Sequence, residues 1–79
     1  MEMLNLKKGI FSDIIEYNGN YYYVDSRYTL DHGYETMVFA CDDKGNVTDW
    51  IDLYCDIYAT PTEMAVAHKK LIADLGAVL

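Results

Sequence analysis

Thr60-Pro61-Thr62-Glu63 divides this chain into two unequal parts. It is a capping box with proline at the first helical position. The Thr60 hydroxyl is placed to accept the Glu63 amide proton, and Glu63 to reach back to the Thr60 amide. Good helix formers follow as far as Leu75, and Gly76 is a natural stop. At about 100° per residue, Met64, His68, Leu71, Ile72 and Leu75 share one face, with Ala65 and Ala67 on its edges. One amphipathic helix over about 61–75 is therefore predicted, and it must lie on something.

The preceding three quarters read as strands punctuated by glycine turns. Asn18-Gly19 is the strongest two-residue hairpin signal, joining a strand over about 10–17 to one over about 20–30. Asp31-His32-Gly33 turns the chain into a strand over about 34–42. Asp42-Asp43-Lys44-Gly45-Asn46 then leads into a strand over about 47–58. The prediction is an α+β domain, a four-stranded antiparallel β-meander with one C-terminal α-helix packed on one face. With 79 residues, below the roughly 100–150 of a usual domain, positions 1–79 make a single domain. Residues 1–8 read equally as a helical turn or an extended arm.

If Asp42 faces Asn46, then Cys41 faces Val47, Phe39 faces Asp49 and Met37 faces Ile51. Alternation then gathers Met37, Phe39, Cys41, Val47, Ile51, Leu53, Cys55 and Ile57 on one face, where the helix is expected. Ile15 and Tyr17 share a face with Tyr22 and Val24. The opposite face of the last strand carries Thr48, Trp50, Asp52, Tyr54, Asp56 and Tyr58. Tyr34, Thr36, Val38 and Ala40 are expected beside them, and Tyr21, Tyr23, Asp25 and Glu16 on the first hairpin. That face is expected to be bare, aromatic and acidic, with Arg27 its cation. Trp and Tyr are enriched at binding hot spots, and an exposed Trp among tyrosines makes a patch that usually has a use. Trp50, Asp52, Tyr54, Asp56, Tyr58, Tyr21, Tyr23 and Tyr34 are thus the candidate partner-binding residues.

Composition narrows the function. Thirteen Asp and Glu against six Lys and Arg give a net charge of −7, the wrong sign for direct binding to nucleic-acid phosphates. Carboxylates on alternate strand residues recur every ~6.6–6.8 Å, near the phosphate step of a DNA strand, so imitation of nucleic acid toward a basic protein is one reading; plain solubility is the other. A hydrophobic share of 52% excludes a disordered chain. No apolar run reaches the roughly 18 residues of a membrane helix, and Met1–Lys8 does not read as a signal peptide; a cytoplasmic protein is expected. Two cysteines are too few for a disulfide scaffold, so Cys41 and Cys55 read as buried free thiols. His68 lacks metal-ligand spacing to His32 or to either cysteine and reads as a half-buried histidine bonded to backbone or to a tyrosine. Asp-Asp-Lys-Gly-Asn lacks the spacing and closing Glu of a calcium loop. No phosphate-cradling glycine loop and no nucleophile elbow is present. The expectation is a non-enzymatic protein without cofactor or metal, with homodimerisation open because so short a chain has a thin core.

Tyr34-Glu35-Thr36-Met37-Val38-Phe39, the hairpin Asp42-Asp43-Lys44-Gly45-Asn46-Val47-Thr48-Asp49-Trp50, and the helix with Ala67-His68-Lys69-Lys70 resemble small uncharacterised proteins of phages and prophages of Gram-positive bacteria. The resemblance spans roughly 34–75. It implies an anti-defence role: a protein that binds and inhibits a host CRISPR effector, nuclease or other defence component through a basic surface on that host protein. It transfers no individual site residue. A homo-oligomer that sequesters a small ligand and an accessory virion protein are the alternatives.

Overall fold

The structure is a computed structural model and describes residues 11–79; the expectation for residues 1–8 lies outside the described residues. Four strands, β1 (Phe11–Tyr17), β2 (Asn20–Thr29), β3 (Gly33–Cys41) and β4 (Val47–Tyr58), form one antiparallel sheet in the order β1-β2-β3-β4. Helix α1 (Pro61–Ala73) and a short 3-10 turn (Leu75–Ala77) follow. This is the expected α+β meander with a helix packed against it.

The turns form for local reasons. Asn18 and Gly19 both take positive φ (53° and 82°), as a two-residue primed turn demands. At the β3–β4 turn, one Asp42 carboxylate oxygen accepts the Lys44 and Asn46 amides, each at 2.9 Å, and the other accepts the Asn46 side-chain amide at 3.0 Å. These bonds, the Asn46 side chain first, hold the Asp42 carboxyl below its usual range. Gly45, at φ 87°, lies against β1: a Cβ there would overlap Ile14 Cδ1. The turn therefore folds back over one end of the sheet.

At the helix start the Thr60 hydroxyl accepts the Glu63 amide at 3.1 Å, as expected. Glu63 returns to the Ala59 amide at 3.1 Å rather than to that of Thr60. Ala59 is the first residue past β4, where a donor no longer has a ladder partner. The helix ends at Ala73, with Leu75 buried by the 3-10 turn. Gly76 serves packing instead of stopping the helix: a Cβ there would meet the Tyr17 hydroxyl at 2.5 Å.

On β1 and β2 the helix covers the expected side, with Ile15, Tyr17, Tyr22 and Val24, but on β3 and β4 it covers the side opposite to the one expected. Val24 pairs with Val38, Tyr22 with Ala40 and Ser26 with Thr36, while Ile15 pairs with Tyr22 and Asp13 with Val24. Val24, Val38, Leu71 and Leu75 form the core, with Ile15, Tyr17, Tyr22, Tyr54 and Ile72 around it. The three-residue connection between Thr29 and Gly33 decides this. It sets the parity that puts the first hairpin's aliphatic side with Val38, not with Met37 and Phe39. The side chains of Met37, Cys55 and Ile57 point away from the helix, and Tyr21 and Tyr23, opposite Cys41 and Phe39, point with them.

Polar satisfaction supports the same choice. His68 is buried on the helix's apolar stripe. Its Nδ1 is 2.6 Å from Ser26 Oγ and its Nε2 2.7 Å from Asp13 Oδ2. Ser26 Oγ lies 2.5 Å from Thr36 Oγ1. An ionised Asp13 only accepts, so Nε2 carries a proton. The expected backbone or tyrosine partner is thus replaced by a chain of four side chains on the Ser26–Thr36 face.

Candidate functional site

β4 is the unusual element. It is the longest strand, lies at the sheet edge and is exposed along most of its length. Its register with β3 breaks. Val38 pairs with Tyr54, but Ala40 pairs with Asp49, so Phe39 alone stands against Trp50–Leu53. The surplus residues arch outward, as residues in a bulge must. Trp50 and Ile51 are each 72% exposed, Leu53 49% and Ile57 51%. Trp50 leans edge-on against Phe39, ring centroids 5.2 Å apart. Expected pairings Phe39–Asp49 and Met37–Ile51 are corrected by this bulge to Ala40–Asp49 and Met37–Cys55, while Cys41–Val47 holds.

The expected single aromatic and acidic face is therefore divided. Trp50, Tyr21 and Tyr23 belong to the side opposite α1, with Phe39 and Cys41. Tyr34, Tyr54, Asp56 and Tyr58 belong to the helix side. Tyr34 pairs with Tyr58 across the ladder and packs on Tyr28, centroids 4.9 Å apart. Asp52 is exposed within the arch. Parity between the two hairpins separates Tyr21 and Tyr23 from Tyr34, Tyr54 and Tyr58, and the bulge within the second hairpin moves Trp50.

The face opposite α1 is apolar along β4 and polar toward β2. Asp25 is buried and takes two bonds from Arg27, at 2.7 and 3.1 Å. The Asp25 bond raises the Arg27 guanidinium above its usual range. Glu35 is buried; one oxygen accepts from the Thr29 hydroxyl at 2.9 Å and the other has no partner. Cys41 is buried, but Cys55, on the exposed edge strand, is exposed, against expectation. Desolvation first, then Glu35, Asp52 and Asp56, pushes the Cys55 thiol up.

On the helix side Tyr54, Asp56 and Tyr58 line a cleft of about 520 Å³ between β4 and α1. Ala67, Ala73 and Ala77 give it room, Leu71 and Val78 an apolar floor, and Lys70 and Asp74 its rim. Desolvation, followed by Tyr58 and Asp56, pushes the Tyr54 hydroxyl up to about 12. Tyr54 is a neutral donor at any physiological pH; its hydroxyl lies 3.4 Å from Asp56 Oδ2.

The Asp13–His68–Ser26 chain has the residue types of a hydrolytic triad but cannot act as one. Ser26 is fully buried and its hydroxyl is shared with Thr36, so no substrate carbonyl reaches it. Sequence reasoning missed this chain. Its signal was polar residues at helix-face positions of three strands (Asp13, Ser26, Thr36) opposite a histidine on an apolar stripe. Among the described residues no three of His, Cys, Asp and Glu come together to hold a metal ion, and no helix is long and apolar enough to cross a membrane. No family description, curated protein or solved structure matches this chain.

Proposed function

We propose that the protein is a non-enzymatic binding protein that occupies a basic surface of another protein through β4. The observation that carries this reading is the exposed arch and its continuation: Trp50, Ile51, Leu53 and Ile57 beside Asp49, Asp52 and Asp56. A long edge strand with exposed apolar side chains is a liability that natural proteins usually blunt. Here it is retained, with a tryptophan at its end, as a partner site requires. The acids at its rim favour a cationic partner and speed encounter with it. Inhibition of a host CRISPR effector, nuclease or other defence component is the form that the resemblance to phage proteins implies, and imitation of nucleic acid is its narrower version.

The test is a pull-down against purified defence nucleases with wild type, Trp50→Ala and the pair Leu53→Lys/Ile57→Lys. Capture by wild type with loss in both variants supports the assignment. Capture undiminished in both removes β4 from the interface.

A further inference from the structure

We propose that β4 takes its partner by strand addition: an extended segment, with Lys or Arg alternating with apolar residues, pairs with the outer edge of β4 and lays its inward side chains in the cleft against α1. This rests on the reading of β4 as the partner surface and says how that surface is used.

Three independent features of β4 meet here. The first is hydrogen-bonding capacity. β4 is the last strand of the sheet and has a ladder partner on one side only among the described residues. The Ile57 amide bonds to Asp56 Oδ1 at 2.9 Å, not to β3, so it points outward. Amides two residues apart in a regular strand point the same way, and the Cys55 amide is therefore outward too. The Ile51 amide is taken by Asp49 Oδ1 at 3.1 Å. Side chains thus cap the edge at Ile51 and Ile57 and frame the stretch between them.

The second feature is the cleft. An added strand runs about 4.8 Å from β4, and its alternate side chains fall on the helix side. That is where the 520 Å³ cleft opens, with alanines rather than larger residues on its helical wall. The other side chains fall beside Leu53 and Ile57. Main-chain bonds with alternate side chains in a groove are a recurrent means of peptide recognition.

The third feature is charge, which names the occupant. β4 holds Asp49, Asp52 and Asp56 and no cation. The cleft adds Asp74 against the single Lys70. A second copy pairing β4 with β4 would set six carboxylates along one seam with no counter-charge, and like charges across strands are unfavourable. A basic strand meets the same acids favourably. The edge therefore repels its own copy and selects a cationic partner.

The experiment titrates the ¹⁵N-labelled protein with a blocked eight-residue peptide of alternating valine and lysine. Expected are saturable shifts on β4 and α1 and slowed exchange of the Cys55 amide. Ala77→Trp fills the cleft from an exposed position, and Asp56→Lys reverses the edge charge. Each should weaken binding at least about tenfold while the circular dichroism of the fold is retained. Equal affinity for a valine–glutamate or a serine–lysine peptide overturns the proposal, since charge or cleft then plays no part. Unchanged binding by Ala77→Trp overturns it too, as does concentration-dependent dimerisation with β4 protected. If the peptide fails while Leu53→Lys/Ile57→Lys still abolishes capture of the nuclease, strand addition falls and the β4 partner surface stands. If that pair leaves capture intact, the partner surface itself falls.

Discussion

Replacing His68 with alanine should cost about 3 kcal/mol. The bond from Nδ1 to the fully buried Ser26 hydroxyl is worth about 1 kcal/mol. The bond from Nε2 reaches Asp13, whose side chain is 46% exposed, so solvent screening brings it to about 0.5–1 kcal/mol. Loss of the ring, packed beside Phe11 at 5.6 Å between centroids, adds about 1–2 kcal/mol of transfer and cavity terms. A domain of 79 residues has only about 4–12 kcal/mol in all, and at this size each kcal/mol moves the melting temperature by about 4–8 °C. A fall of roughly 12–24 °C is expected in thermal unfolding followed by circular dichroism, with a matching loss in urea. Asp13→Asn keeps an acceptor and should cost under about 1 kcal/mol. The decisive measurement is the double-mutant cycle of His68→Ala with Ser26→Ala. Two groups sharing one bond should couple by at least about 0.5 kcal/mol. A loss below about 1 kcal/mol for His68→Ala, or strict additivity in the cycle, would refute the account of why the helix sits on this face.

Two further outcomes follow from local geometry and charge. Gly45→Ala should lose more stability than Gly19→Ala. Both positions need positive φ, at about 1–2 kcal/mol for a residue with a Cβ, but a Cβ at Gly45 also overlaps Ile14 while Gly19 faces open space; equal urea midpoints would show that the turn does not rest on β1. In alkali, the Tyr54 hydroxyl is raised from 10.0 to about 12. Folding therefore favours the neutral phenol: its contribution is complete below pH 10 and is lost as pH rises from 10 to 12. Urea midpoints should fall over that window, less steeply in Tyr54→Phe, and an identical fall in the variant would contradict the assignment.

Much of the molecule was legible from short-range chemistry. Asn18-Gly19 and Gly45 sit where positive φ is needed, Thr60 and Glu63 cap the helix, and Met64, His68, Leu71 and Leu75 form its buried stripe. Each follows from neighbours a few residues apart, and strand alternation correctly sorted β3, and β4 from Tyr54 onward, into their two sets of side chains. The same alternation is blind to which set meets the helix, because a period of two treats both faces alike. Met37, Phe39 and Ile57 make the more apolar set, yet the helix covers Thr36, Val38 and Tyr54. The candidate site was divided for the same reason at Tyr21 and Tyr23, which lie opposite to Tyr34, Tyr54, Asp56 and Tyr58, and by the arch at Trp50. The arch at Trp50–Leu53 was equally out of reach, since a bulge depends on what the partner strand packs against.

The sequence by itself determined the elements, their turns and an acidic, tyrosine-rich meander with one helix. Tertiary structure alone decided the side on which the helix lies. It did so through the three-residue connection between Thr29 and Gly33 and through a buried histidine whose hydrogen-bond partners among the described residues, Ser26 and Asp13, come from strands 42 and 55 residues away. That choice turned the β4 part of the expected bare acidic face into a cleft wall and left Trp50, Ile51, Leu53 and Ile57 of the edge strand exposed.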